Sequence, residues 1–262
     1  MLRMLKVEGC KTLRSASLWV IFIVMITISI IFTSPTFSRL PETLKSAYGM
    51  QYALEQPMSR GEYVFLRTMS DASFTAWLSV IAGALIIGMD FANRTVNNLI
   101  YAGNKRISIL IVKLFYFYLS ALLLSAVYPL ANCIKYSADW FSGMASSDIV
   151  YVLRCVSCRA LIDMAMMSFA LVSAFAFRDV IRTLVCSLIT IVAISQLMRI
   201  AGDIENNTIK AIIEYFPAFA IQKVMLRDTS REVIQRSMLY SAVMVMLTGI
   251  SCYLFFKKAD LK

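Results

Sequence analysis

This chain of 262 residues is poor in the groups that carry chemistry. It has no histidine, which removes the commonest general base and metal ligand at neutral pH. Its cysteines are Cys10, Cys133, Cys155, Cys158, Cys186 and Cys252. Most lie in or beside apolar runs, where a free cysteine behaves as a small hydrophobe. Cys155-x-x-Cys158 has the spacing of half a zinc site or of a redox pair. A structural zinc wants four ligands, and no second pair follows. On a helix the two cysteines share one face, which suits apolar packing or a disulfide that could involve Cys133. No G-x-x-x-x-G-K-[ST] phosphate loop occurs, so the chain has no nucleotide site of that kind. No catalytic residue and no metal site are expected.

Two ionisable side chains fall within apolar runs, Lys113 and Asp163. An ionisable group inside a membrane span is a functional candidate by default. Asp163 lies one helical turn from Arg159, so an i,i+4 pair is available. Two readings of Asp163 stand: a structural pair, and a role on a transport pathway. Lys113 reads as an anchor whose amine snorkels to the near membrane face.

The elements that must position these residues are membrane helices. Hydrophobic residues make up 59% of the chain and charged residues 16%. A soluble domain is nearer half apolar and a quarter charged, and here the excess falls in blocks. About 20 mostly apolar residues cross a ~30 Å hydrocarbon core as a helix. Six such runs are expected, at about 18–34, 72–89, 107–134, 160–177, 183–198 and 237–256. The fold class is therefore all-α, a single transmembrane domain over 1–262. The first run is longer than the h-region of a signal peptide and has no A-x-A-like site after it, so it reads as an uncleaved span.

Charge fixes the expected orientation, because Lys and Arg favour the cytoplasmic side. With the N-terminus inside, segments 1–17, 90–106, 178–182 and 257–262, with Lys113, hold 13 of the 26 basic residues and four acids. The opposite face holds 13 bases and 12 acids. Both ends of this multi-pass chain are thus placed in the cytoplasm. The net charge of +10 becomes a topology signal, and nucleic acid is not an expected partner. Residues 1–17 carry an amphipathic helix for the membrane surface, with Leu2, Leu5 and Leu13 on one arc and Arg3, Lys6, Lys11 and Arg14 mainly opposite. The competing reading is a plain basic flank. Residues 35–71, with Pro35, Pro41, Pro57 and Gly61, read as an irregular or partly helical loop. Residues 199–236 contain an apolar stretch that is too short and too charged to span, and Pro217 divides it. That fits a broken re-entrant helical pair on the outer face, before the sixth span. Such a break is tolerated where protein or water covers the backbone. Phe216, Pro217 and Phe219 are its candidate pathway or gate residues, with Asp163.

The stretch IIGMDFANRTVNNLIYAGNKRISILIVKLF, residues 86–115, is the most informative. Asp90 sits where the second span leaves the membrane. Thr95 to Tyr101 can form about two helical turns, and Gly103 and Asn104 end them. Lys105 and Arg106 mark the return. Such a short helix, fixed at both ends to spanning helices, can pass force from a cytoplasmic partner to the bundle.

Asp90, Phe91, Thr95, Asn98, Leu99, Ile100, Gly103, Arg106 and Lys113 resemble the D-F-x-x-G-T, N-[LI]-[LI], G-x-x-R and Lys pattern of ABC-2 type permeases. Those are the membrane subunits of ATP-binding-cassette exporters. Arg94 stands where that family often has glycine. The ending YLFFKKADLK is similar as well. The wording is closest to permeases of bacterial peptide-antibiotic export and immunity systems. What the resemblance implies is a half-transporter in the bacterial cytoplasmic membrane. Its cargo would be a peptide or a lipophilic antimicrobial compound. The coupling loop would be gripped by an ABC ATPase subunit through Asp90, Phe91, Arg94, Thr95, Asn98, Leu99, Gly103 and Arg106. ATP and magnesium would sit in that partner, with no cofactor in this chain, and a second permease, identical or related, would complete the unit in the lipid. The alternative is a secondary carrier or channel working without an ATPase.

Overall fold

The computed structural model describes residues 2–32, 65–66, 68–69, 81–136, 143–201 and 216–257. Among them the chain is all-helical. The expected loop at 35–71 lies outside the described residues except at four positions. So do the first half of the second expected span (72–80), the first limb of the broken segment (202–215) and the last five residues.

In chain order the helices are α1 (Leu2–Arg14), α2 (Ala16–Phe32), a π-helical segment (Ala84–Gly88) that runs into α3 (Met89–Ala92), α4 (Thr95–Tyr101), α5 (Arg106–Tyr136), α6 (Ser146–Phe177), α7 (Val180–Ala201), α8 (Pro217–Met225) and α9 (Arg231–Lys257). Three are long and apolar enough to cross a membrane: α5 over Arg106–Ala131, α6 and α9. A fourth crossing arises if α1 and α2, which meet at a bend of 48°, are taken as one span. Ile81–Ala92 and Val180–Ile194 are apolar but shorter. The chain is thus a helical protein with several apolar helices of membrane character.

The bend between α1 and α2 has a local cause. The Trp19 indole N–H donates to the Leu13 carbonyl at 2.7 Å, and Ser15 N–H to the Thr12 carbonyl at 3.2 Å. The last carbonyls of α1, which lack helical donors, are therefore taken up at the turn. At the other end of the bundle, α6 starts at Ser146, 14 residues before the expected span. Asp148 sits in its first turn, where its carboxylate accepts the Ala145 N–H at 3.2 Å and favours the helix dipole. At 1.5 Å per residue α6 is about 48 Å long. It ends at Arg178, which takes the left-handed conformation (φ 54°). Asp179 then caps α7, its carboxylate accepting the Arg182 N–H at 2.8 Å. A two-residue turn therefore reverses the chain between α6 and α7.

α6 is the centre of the bundle. It packs on α5, α7, α8, α9 and the π segment. Small residues set the closest approaches. A β-carbon on Gly88 would stand 3.2 Å from the Val180 backbone, so that glycine lets the start of α7 sit against the π segment. Helix association in lipid relies on such close van der Waals packing, because the acyl chains are as apolar as leucine.

Candidate functional site

The end of the bundle that carries α3 and α4 gathers most of the residues singled out above. α4 is a seven-residue helix with unusual backbone at both borders. Arg94 precedes it in the left-handed region, at φ 55° and ψ 17°. Such a conformation costs an L-residue roughly 1–2 kcal/mol and glycine almost nothing. Gly103 follows it at φ 81°. The Gly103 N–H donates to the Ile100 carbonyl at 2.9 Å and the Asn104 N–H to the Leu99 carbonyl at 3.3 Å. These two bonds form a Schellman motif, which satisfies the last carbonyls of the helix. The Asn104 side-chain amide adds a second donor to the Leu99 carbonyl at 2.9 Å.

Beneath α4 lies a cluster of four charged side chains. Asp90 is 2% exposed and Lys113 3% exposed. The Lys113 ammonium donates to Glu8 Oε1 at 2.5 Å and to Asp90 Oδ2. The other Asp90 oxygen pairs with Lys11. Two carboxylates thus face two ammonium groups, and α1 is tied to α3 and α5. Partial burial, and then the positive charge of Lys113, lower the pKa of Lys11, while Glu8 opposes the shift. The Tyr116 hydroxyl donates to the Leu5 carbonyl at 2.7 Å, a further tie between α5 and α1.

The expectation for Lys113 is corrected here. Its amine does not snorkel outward, because α1 brings Glu8 to it and supplies a counter-charge inside the protein. α1 turns a different face to the bundle from the one that carries Leu13. Met4 packs on the core and Glu8 is buried, whereas Leu13 is 69% exposed.

Next to the charges is an aromatic triad. Phe91 meets Phe175 at 5.4 Å and Phe256 at 6.3 Å, and Phe175 meets Phe256 at 5.6 Å, all edge to face. It joins the ends of α3, α6 and α9. The Arg106 guanidinium donates to the carbonyls of Lys257 at 3.1 Å and Phe256 at 3.4 Å. A cation there completes the C-terminus of α9.

The candidate coupling residues therefore divide by position. Asp90 and Phe91 are buried and hold the helices together. Leu99 is half-buried against the core and Thr95 is half-buried. Arg94, Asn98, Gly103 and Arg106 are exposed. Tyr101, not among the expected residues, is 73% exposed. Glu8 and Lys11 were also missed. Their signal was present in outline: Glu8 is the only acid in a basic N-terminal helix, and Lys113 lies in a span without a nearby acid in sequence.

Asp163 belongs elsewhere. Its carboxylate accepts Arg159 Nε at 2.7 Å, and both are nearly buried. Arg159 also donates to the carbonyls of Thr68 and Met69, so it joins α6 to the 65–69 segment. Because α6 begins at Ser146, Asp163 sits well inside a helix and not in its first turn. Phe216 stacks on Phe169 at 5.9 Å with 14° between the rings, and Pro217 is buried. The Phe219 side chain lies outside the described residues, as does that of Cys133. Cys155 and Cys158 are buried free thiols, and Cys155 Sγ contacts the Met225 carbonyl at 3.8 Å. Around them α8 is fastened to α6. The Tyr151 hydroxyl donates to the Met225 carbonyl at 2.8 Å, Arg154 to that of Leu226 at 2.6 Å, and Arg227 to Asp148 at 2.7 Å. Among the described residues no cluster of His, Cys, Asp or Glu is placed to hold a metal ion. No family model and no curated protein sequence matches the chain.

Proposed function

We propose that this chain is the membrane half of an ATP-driven exporter of the ABC-2 type. It crosses a bacterial cytoplasmic membrane six times with both ends inside the cell. It works as a pair of permeases with two ATPase subunits, and its cargo is a peptide or lipophilic antimicrobial compound. One observation carries the reading. α4 is a short helix, exposed on its outer side, whose two borders are fixed in left-handed turns and whose base is locked to α1, α5, α6 and α9. A load applied to such a helix moves the helix ends together, because buried charge pairs and aromatic contacts resist independent motion. The left-handed turn at Arg94 also fits the resemblance, since the position at which that family often has glycine is one where glycine is unstrained.

The test is reconstitution into liposomes with and without a cassette ATPase subunit. Substitutions belong on the exposed side of α4, at Asn98 and Tyr101, with Thr95 beside them, because Asp90 and Phe91 hold the fold. Asn98→Trp and Tyr101→Ala are expected to lose transport with the helical content and melting temperature unchanged. Normal transport by these variants with the ATPase still bound would remove the coupling role. Transport with no ATPase present would favour a secondary carrier or channel.

A further inference from the structure

A cleft beside α1 is not used by the coupling reading. It has a volume of about 210 Å³ and opens to the surface. Met4 and Val7 line it from α1, and Leu99, Ile109 and Val112 from α4 and α5. The Glu8–Lys113 pair is at its base. Val7 is 63% exposed, so an apolar surface continues from the cleft to the outside. Arg3 is exposed on the same lining.

Charge decides what fits. The base is neutral, because Glu8 and Asp90 are matched by Lys11 and Lys113. Arg3 has no ion-pair partner among the described residues. An apolar slot with a single unmatched cation suits an amphiphile with an anionic head. The volume admits about seven methylene-sized groups, at the ~30 Å³ that a water-sized group takes in a liquid. That is the upper part of one acyl chain. We propose that this cleft is a binding site for an anionic phospholipid of the leaflet in which α1 lies, with an acyl chain against Met4 and Val112 and its phosphate on Arg3. The bound chain fills the gap between α1 and α5 and so supports the helix that carries Glu8. The site needs a membrane but no ATPase, so its failure leaves the exporter reading standing.

The whole chain, purified in detergent and stripped of lipid, is offered phosphatidylglycerol or phosphatidylcholine, and bound lipid is counted by native mass spectrometry. The expected result is retention of phosphatidylglycerol, with phosphatidylcholine lost. Arg3→Gln should weaken retention about fivefold, from the ~1 kcal/mol that one basic residue contributes near an anionic lipid surface. Lys6→Gln removes the same charge from an exposed residue of α1 outside the cleft and should retain lipid as the unaltered chain does. Met4→Trp, which fills the slot, should abolish retention, and Val7→Trp at the exposed side serves if Met4→Trp does not fold. Equal retention of the two lipids overturns the proposal. So does an equal loss in Arg3→Gln and Lys6→Gln, which would mark diffuse attraction to the basic helix, or unchanged retention in the tryptophan variants.

Discussion

Lys113 on α5 donates to Glu8 on α1 at 2.5 Å, across 105 residues of sequence, with both side chains nearly buried. Burial leaves each charge little hydration, so each depends on the other. Removing one member of a buried pair leaves an uncompensated charge and costs about 3–5 kcal/mol. Lys113→Met is expected to lose stability on that scale, because it leaves Glu8 and Asp90 with Lys11 as the only cation in the cluster. Glu8→Gln in the same chain removes one of the two carboxylates, so the double variant should recover part of the loss. Thermal unfolding in detergent measures both. A double variant as unstable as the sum of the singles would show that the two residues are not coupled.

The borders of α4 give a second expectation with opposite signs at two positions. Arg94 holds a left-handed backbone at φ 55° that glycine adopts without strain. Glycine also loses more freedom on folding, so the gains partly cancel. Arg94→Gly should therefore raise stability by up to about 1 kcal/mol. Arg94→Val should lower it by roughly 1–2 kcal/mol, since a branched β-carbon is least tolerant of that region. Gly103→Val should lose a similar amount, and here strain alone is responsible, because nothing lies within 4 Å of an added β-carbon. Melting temperatures of the three variants read the effect directly.

The exposed guanidinium of Arg106 sets a third. It donates to the final carbonyls of α9, at Phe256 and Lys257. A cation at a helix C-terminus contributes about 0.3–1 kcal/mol. Arg106→Ala should leave global unfolding nearly unchanged and speed amide exchange in the last turn of α9. Arg106→Lys keeps the charge and should restore part of the protection. No change in exchange with Arg106→Ala would mean that the cap carries no weight.

What the sequence made legible follows from how local each signal is. α5 and α9 appear as long apolar runs, and Gly103–Asn104 announces the end of α4 because a turn is a few adjacent residues. The start of α6 was hidden. Asp148, Arg154 and Arg159 interrupt the apolar pattern there, although each finds a partner in the fold, in Arg227, in the carbonyls of 226–227 and in Asp163. The inward face of α1 was not legible, because the leucine arc marks the side suited to lipid and says nothing of which residues meet the bundle, where α1 turns Met4 and Glu8. The four-charge cluster draws on three separate helices and could not be assembled from spacing. Arg94 lay between these cases: its departure from the glycine pattern was visible, while its left-handed backbone was not.

The last expectation concerns Arg159 and Asp163, one turn apart on α6 and almost wholly buried. A pair of this kind can be structural or part of a pathway, and the two roles predict different variants. Arg159 also donates to the backbone at Thr68 and Met69, so it joins α6 to a distant segment of the chain. A structural tie of that form predicts that Asp163→Asn costs about 3–5 kcal/mol, because it strands a buried guanidinium. Arg159→Met with Asp163→Leu removes both charges together and should cost less than either charge removed alone, since an apolar pair of similar bulk can replace a buried ion pair at little cost. Transport separates the roles. If the double variant folds and still moves cargo in liposomes, the pair acts in the fold. If it folds as stably as the unaltered chain and transport stops, the carboxylate of Asp163 is part of the path, and the bonds from Arg159 to 68–69 serve to hold it there.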